Sequence, residues 1–372
     1  FDSSDFLVTN GSVINFTGSR MDYVATIAAT GKGDIEISIP AAAANDAAGN
    51  ASTASNTLSI SNNVVEKTQK VIAQFMQSRV NQLISSQPDL SGLLSGGRSG
   101  GFDASVSQAG GNFDFASPSN TDNGLWVRLN GSWSNEDTRE TQYVFGALGS
   151  HYALSPDLLV GGMVELDYLS QNDGVSKVEG QGWLAGLYVV ARAPNHPLFI
   201  DGRVLYGQTS NDVSPLGTYT DSFDTERSLA QVRLSGELAY GSTTVMPSLQ
   251  LSYTTDDQQS YTDSFDNLIP AQGVELGQAE LAVDFRHDVV LKNDLVSLEI
   301  TGGIAAIGSS TRGSGNADLV IPEYAGGRAK LKMGANYTLA NGGTLALDTF
   351  YDGIGTSGYE SYGLQLGFNL EF

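Results

Sequence analysis

Residues 361–372 read Ser-Tyr-Gly-Leu-Gln-Leu-Gly-Phe-Asn-Leu-Glu-Phe, and they carry the clearest fold signal in the chain. Every second residue from Tyr362 to Phe372 is large and apolar, and the residues between are glycine or polar. A period of two predicts a β-strand with one apolar and one polar face. Outer-membrane barrel strands need this pattern, because one face meets lipid and the other a polar lumen. Soluble sandwich strands also alternate, so further strands are needed to decide.

The same alternation recurs along the preceding 240 or so residues. Twelve segments have it, at residues 125–134, 140–154, 158–170, 177–192, 198–210, 227–241, 243–256, 273–288, 295–309, 325–339, 342–353 and 358–372. Bacterial single-chain barrels have an even number of antiparallel strands. The pattern therefore predicts an all-β fold, with a twelve-stranded antiparallel outer-membrane β-barrel over residues 123–372.

The polar face of these segments carries charges of both signs. In a barrel this face lines the lumen, where acidic and basic side chains can pair across a polar interior. The charged residues predicted to face the lumen are Arg203, Arg233, Glu237, Glu280, Asp284 and Arg286.

The connections between the segments alternate in length. Short ones include residues 155–157, 241–242 and 340–343, whereas residues 211–226, 257–272 and 310–324 form long ones. Outer-membrane barrels have short periplasmic turns and long outer loops. A sandwich has no reason to alternate so regularly, which favours the barrel.

Residues 62–85 have apolar side chains at helical spacing and predict an α-helix. Asn63 is a candidate N-cap, with Glu66 completing a capping box, and Pro88 marks the end. At about 1.5 Å per residue the helix spans roughly 36 Å, close to the thickness of a bilayer. We expect residues 62–94 to thread the barrel and residues 95–122, rich in Gly, Ser, Asn and Asp, to form a linker.

Basic side chains on this helix would be costly in lipid but acceptable in a polar lumen. The helix residues that we expect to lie in the lumen are Lys67, Lys70, Phe75 and Arg79. The basic ones are candidates to face lumen acids such as Glu165, Asp167, Glu237, Glu280 or Glu299, or simply lumen water. The apolar stripe is expected to rest against residues such as Met163, Leu205 and Ala282.

The formal net charge is −22 and the sequence contains no cysteine. A nucleic-acid partner is excluded because phosphate binding needs a basic surface. Many acids are expected in solvated loops, with divalent-cation bridging to lipopolysaccharide as the alternative; they are Asp221, Asp224, Glu226, Asp256, Asp257, Asp263 and Asp266. The three histidines, His151, His196 and His287, lack ligand spacing. We therefore predict no catalytic residue, cofactor or metal.

The stretch from Gln365 to Phe372 resembles the C-terminal signal of outer-membrane barrels, in which we assign roles to Gln365, Gly367, Leu370 and Phe372. The resemblance implies recognition by the barrel assembly machinery and periplasmic chaperones. Residues 74–94 resemble the segment that precedes many autotransporter β-domains. Over residues 62–372 the resemblance implies a helix threading a twelve-stranded barrel, with an N-terminal passenger outside the cell.

Residues 1–61 resemble the end of a bacterial Ig-like repeat, at Ser4-Asp5-Phe6 and around Asp46-Ala47-Ala48-Gly49-Asn50. Strands that normally come before this motif are missing, and residues 1–5 do not read as a signal peptide. We therefore expect a partial Ig-like β-sandwich, the end of a surface-exposed and adhesive stalk, within a longer exported chain.

These observations predict a non-enzymatic, monomeric translocator of type V secretion in the outer membrane of a Gram-negative bacterium. It would contact outer-membrane lipid and lipopolysaccharide, and would anchor its own upstream passenger at the cell surface. The alternatives are a general diffusion pore with an appended Ig-like adhesive domain and, more distantly, an enzyme with a barrel-embedded active site. A helix that fills the lumen favours the translocator, whereas an open lumen favours the pore.

Overall fold

A computed structural model gives the architecture. It describes residues 1–19, 22–30, 33–95, 103–107, 112–117, 124–136, 139–289, 291, 296–320, 322, 324–338, 344–356 and 361–369. A small β-unit comes first, a 22-residue helix follows, and one large antiparallel sheet accounts for most of the remaining chain.

The N-terminal unit contains five strands: β1 Leu7–Thr9, β2 Gly11–Ser19, β3 Asp22–Ala29, β4 Ile35–Ser38 and β5 Leu58–Ile60. They form two small sheets, β1-β4-β5 and β2-β3. In β4 the residues Ile-Glu-Ile-Ser alternate between apolar and polar, the period of two that forms a strand. The rings of Phe1, Phe6, Phe16 and Tyr23 cluster at one end, with centroids 5.2 to 5.9 Å apart.

The helices are α1 Val64–Ser85 and α2 Gly92–Ser95. Helix α1 confirms the element predicted at residues 62–85. Its capping differs, because the Asn63 side chain makes no cap hydrogen bond and Asn62 Oδ1 accepts from the Val64 N–H instead, at 3.0 Å. The Asn63 backbone (φ −98°, ψ 26°) lies outside the extended region that a capping side chain needs. Of the helices in the described ranges, none is long and apolar enough to cross a membrane.

The large sheet begins with two short strands, β6 Asp103–Ser107 and β7 Asn112–Ser117. The strands that follow are β8 Leu125–Glu136, β9 Arg139–Ser155, β10 Leu158–Asp173, β11 Ser176–Arg192, β12 Leu198–Ser214, β13 Asp221–Gly236, β14 Leu238–Tyr240, β15 Thr243–Gln258, β16 Tyr261–Thr262, β17 Leu268–Ile269, β18 Gln272–Val289, β19 Ser297–Ser314, β20 Gly326–Thr338, β21 Thr344–Ile354 and β22 Ser361–Asn369. Short β14 continues the line of β13, and β16 and β17 form a hairpin within a loop. The other twelve, from β8 to β22, are the long strands.

The twelve long strands pair antiparallel in chain order, and this includes the pairs β13–β15 and β15–β18. The prediction of twelve long strands is thus confirmed. The first and the last of them do not pair directly. Instead β22 pairs with β6, β6 with β7, and β7 with β8.

The linker prediction is therefore wrong over residues 103–107 and 112–117, which add two strands between the ends of the twelve. Their composition is that of a linker, but their order is that of a strand. In β7, Phe113 and Phe115 alternate with polar or small residues, and a period of two forms a strand whatever the average polarity.

The loop predicted at residues 211–226 is also much shorter than expected. Strand β12 runs to Ser214 and β13 starts at Asp221, which leaves residues 215–220. Alternation continues through this polar stretch, and Val213 and Phe223 are buried on one face. Residues 259–271 and 315–325 remain long connections, and the second contains a 3-10 helix, Gly315–Leu319.

The two faces of the long strands differ sharply. In β12, Ile200, Val204 and Tyr206 are 46 to 67% exposed, whereas Asp201 and Arg203 between them are at most 3% exposed. Exposed aliphatic and aromatic side chains cover the same face of the neighbouring strands. We call this the outer face, which suits lipid, and the buried polar and mixed face the inner face.

Candidate functional site

Helix α1 packs on the inner face of the large sheet. Its side chains Ile72, Phe75, Met76 and Leu83 are almost fully buried. They belong to one hydrophobic cluster with inner-face residues that include Met163 and Leu205, as the apolar stripe predicted. Ala282 lies elsewhere, in a separate cluster with Ala305 and Ile307.

Arg79 is the most fully bonded side chain of the helix, and it is 1% exposed. Its Nε and Nη2 donate to the two carboxylate oxygens of Asp167 in β10, at 3.1 and 3.2 Å. Nη1 donates to Asn211 Oδ1 in β12 at 2.6 Å, and Nη2 also donates to the Gly180 carbonyl in β11 at 3.2 Å. One helix side chain thus joins three neighbouring strands.

The same carboxylate receives a second arginine from the sheet. Arg227 in β13 donates two hydrogen bonds of 2.7 Å to Asp167. Asp256 in β15 is 1% exposed and interacts electrostatically with both arginines. Buried charges are tolerated only when they are paired and hydrogen-bonded. Arg79, Asp167 and Arg227 meet that condition through their shared hydrogen bonds.

The segment after the helix is held by further arginines of the inner face. Arg203 donates to Gln87 Oε1 at 3.0 Å and to the Pro88 carbonyl at 2.7 Å. Arg233 pairs with Asp89 at 3.2 Å. The Gln87 amide in turn donates to Glu165 at 3.0 Å. These contacts lie towards the end of the sheet that carries the short turns, where Arg192 pairs with Asp157 and donates to the Leu94 carbonyl.

The other half of the helix lies among the long loops. Tyr324 donates to the Gln77 carbonyl at 2.9 Å, and the Gln77 amide donates to the Val320 carbonyl at 2.5 Å. Gln69 accepts from Asn316 at 2.8 Å. Residues 315–320 and Tyr324 of this connection therefore lie against the helix.

The start of the helix packs between the N-terminal unit and a loop. Val64 is buried with Ala29 and Ile35, and Leu216 and Tyr219 of the 215–220 loop pack on the same cluster. Burial raises the pKa of the Tyr219 phenol to about 12, so it stays neutral at physiological pH. Helix α1 thus runs from the long-loop end to the short-turn end of the sheet.

The residues predicted for the lumen occupy varied environments. Phe75, Arg79 and Arg203 are buried, Lys67 is partly buried and Lys70 is exposed. Arg233, Glu237, Glu280 and Asp284 are partly buried, and Arg286 is exposed. Two of these pair with other strands at 3.4 Å, Asp284 with Lys332 and Arg286 with Glu299. Their functional roles remain predictions.

The sequence indicated Asp167 among the possible acids, but Arg227, Asn211 and the position of Asp256 were missed. The prediction of solvated loops is wrong for Asp256, which lies in β15 with a buried side chain, and for Asp263, whose side chain is also buried. It is also wrong for Asp221, Asp224, Glu226 and Asp257, which belong to strands β13 and β15. The alternation of Ser252, Thr254 and Asp256 on the inner face was the available signal.

For the terminal signal, Gln365 and Gly367 lie in β22 and pair with both β21 and β6. Leu370 and Phe372 lie outside the described residues. Within the described part of the chain, no three His, Cys, Asp or Glu side chains are grouped in a way that could hold a metal ion.

The family model of the autotransporter beta-domain matches residues 125–349, more than half of the chain. The chain belongs to the autotransporter β-domain family. It is therefore an outer-membrane translocator of type V secretion. No curated protein sequence matches this autotransporter chain.

Several solved structures are similar to this autotransporter chain. The translocator domain of NalP from Neisseria meningitidis has 15% identity, with 83% of this chain and 99% of that chain covered and a TM-score of 0.45. The β-domain of BrkA from Bordetella has 13% identity, coverage of 73% and 99%, and a TM-score of 0.44. The transport unit of AIDA-I from Escherichia coli has 10% identity, coverage of 83% and 98%, and a TM-score of 0.38.

Proposed function

We propose that this autotransporter chain keeps its N-terminal passenger tethered at the cell surface through helix α1, which stays in the barrel lumen. The observation that carries the proposal is the buried Arg79, whose hydrogen bonds reach three strands of the inner face. Such a helix closes the path through the barrel and links the passenger to the membrane.

The direction of the helix supports an outward-facing passenger. Long loops lie on the outer side of bacterial barrels and short turns on the periplasmic side. Val64, at the start of α1, packs with Leu216 and Tyr219 of a loop, and Leu94 lies near the short-turn end. Residues 1–61 would then emerge at the surface.

The rival function is a general diffusion pore. It requires an open lumen, and here the helix, residues 315–320 and Tyr324 all lie on the inner side of the sheet. The family is a transport-related one, so a barrel-embedded enzyme has no observation in its favour. The translocator is the function that the geometry supports best.

The two small sheets of residues 7–60 suit the end of an Ig-like stalk, which could be adhesive. The apolar outer face of the barrel suits outer-membrane lipid and lipopolysaccharide.

Surface tagging tests the direction. We expect an epitope inserted after Thr218, in the exposed 215–220 loop, to bind antibody on intact cells. The same epitope after Ser242, in the short turn between β14 and β15, should bind only after the outer membrane is permeabilised. If only the Ser242 tag bound antibody on intact cells, the barrel would have the opposite orientation, and helix α1 could not tether the passenger at the cell surface.

Barrel assembly is tested at the chain's last strand. Deleting Phe372 should lower the amount of folded, heat-modifiable protein in the outer membrane and leave unfolded protein in the periplasm, because the terminal aromatic residue belongs to the proposed assembly signal. Deleting a single residue of the exposed 215–220 loop, Thr218, is the matched control. Equal amounts of folded barrel in both variants would rule out this role for Phe372.

A further inference from the structure

Within the charged cluster around Arg79, the two arginines bind Asp167 at different distances. Asp167 already has a partner in the sheet, because Arg227 donates two bonds of 2.7 Å to it. The Arg79 bonds to the same carboxylate are longer, at 3.1 and 3.2 Å. The sheet thus pairs Asp167 without the helix.

The balance of charges in this cluster changes when the helix is absent. Arg79 and Arg227 face two acids, Asp167 and Asp256, so two positive charges meet two negative charges. Without the helix, one positive charge remains against two negative ones. Asp256 is buried, and its Oδ1 has no hydrogen-bond partner among the described residues. Arg79 thus supplies the second positive charge of this buried cluster.

We propose that Asp167, Asn211 and the Gly180 carbonyl, with the buried Asp256 nearby, form a guanidinium-binding site in the barrel wall. This site binds Arg79 and so fixes the position at which the chain stops in the lumen. The inference rests on the proposed function, in which helix α1 stays in the lumen.

The site suits arginine better than lysine. The guanidinium presents five N–H donors in a planar fork, whereas an ammonium is a compact point charge. Arg79 uses this fork with Nε on Asp167, Nη1 on Asn211, and Nη2 on both Asp167 and the Gly180 carbonyl. Helix α1 contains a single arginine and two lysines, and the lysines lie at its loop end. One position of the helix therefore matches the site.

Other hydrogen bonds of the helix and the segment after it form at the same helix position that places Arg79 in the site. Gln69 meets Asn316, and Gln87 meets Arg203 and Glu165, while Arg79 is in the site. Sliding the helix by one turn would move each side chain by about 5.4 Å, which is enough to break all of these hydrogen bonds. Arg79 is the buried charged residue of the helix. Its hydrogen bonds therefore contribute most to fixing the helix at this position.

The test uses the full chain with Arg79→Gln, and Lys70→Gln as a matched control that removes an exposed charge from the same helix. Folding is checked by heat-modifiable gel mobility. In planar bilayers we expect Arg79→Gln to raise the ratio of open to closed time at least tenfold, and Lys70→Gln to leave it within about twofold of wild type. Arg79→Lys should fall between them because it keeps the charge and loses the fork.

A second measurement reports on position rather than conductance. The chain has no cysteine, so Met76→Cys, at a fully buried helix site, gives a single label position. Maleimide labelling at this position should be at least tenfold faster when combined with Arg79→Gln than with Lys70→Gln. Asp256→Asn should also speed it, although Arg227 still pairs with Asp167, and this variant serves if Arg79→Gln does not fold.

The outcomes separate the two claims. A closed wild type together with equal conductance and labelling of the Arg79 and Lys70 variants would overturn the guanidinium site and leave the tether intact. A wild type that is itself open, with Met76→Cys labelled at once, would mean that the helix is not in the lumen, and both claims would fall.

Discussion

Asp167→Ala should destabilise the folded barrel by about 3–5 kcal/mol, the usual cost of removing one partner from a buried ion pair. Asp167 accepts hydrogen bonds from both Arg79 and Arg227, and all three side chains are at most 2% exposed. Its removal leaves the two guanidinium groups without the carboxylate that they share, in a buried space.

The free energy of unfolding in urea, measured for the purified protein refolded in liposomes, checks this expectation. Asp224→Ala is the matched control, because it removes an acid of β13, the strand of Arg227, whose side chain is exposed on the outer face. We expect that variant to stay within about 0.5 kcal/mol of wild type. Equal unfolding free energies for the two variants would mean that the Arg79 cluster does not stabilise the fold.

Much of the fold was predictable because a barrel strand depends on a local property. A period of two with one apolar face identifies a strand from its own residues, and all twelve long strands were found in this way. The apolar face pointed outwards as expected, with Leu281, Val283 and Phe285 exposed. The linker prediction failed because it used average composition and ignored the order of residues. In β7, for example, Phe113 and Phe115 alternate within a polar stretch.

The partners of the inner-face charges were much less predictable. Alternation shows that Arg203 and Asp201 share a face, but not what lies across from them. The Arg79 cluster combines residues of β10, β11, β12, β13 and β15, which meet only through the curvature and register of the assembled sheet. The pair of Arg79 with Asp167 could be named as one of several possibilities, whereas Asn211 gave no local sign of its role.

The loops were partly predictable from the sequence. The sequence indicated the long connections at residues 257–272 and 310–324, but nothing local indicated that Asn316 and Tyr324 turn inwards. That depends on Asn316 and Tyr324 finding Gln69 and Gln77 on the helix. Contacts between a loop and a distant helix are set by tertiary structure alone.

The central claim is that helix α1 occupies the lumen, and removal of the helix should raise conductance more than any single substitution does. The comparison is between residues 62–372 and residues 96–372. The shorter chain keeps β6 and β7, because removing residues 103–117 would take away strands that lie between β8 and β22 and would confuse an opened lumen with a broken wall.

Single-channel conductance in planar bilayers is the most direct measurement. For residues 62–372 we expect a small conductance, since the helix and the described part of the 315–325 loop pack on the inner side of the sheet. For residues 96–372 we expect a conductance several times larger, limited by that loop. Gel mobility before and after heating must establish that both chains are folded. Equal conductance of the two folded proteins would contradict a helix-filled lumen and favour a diffusion pore.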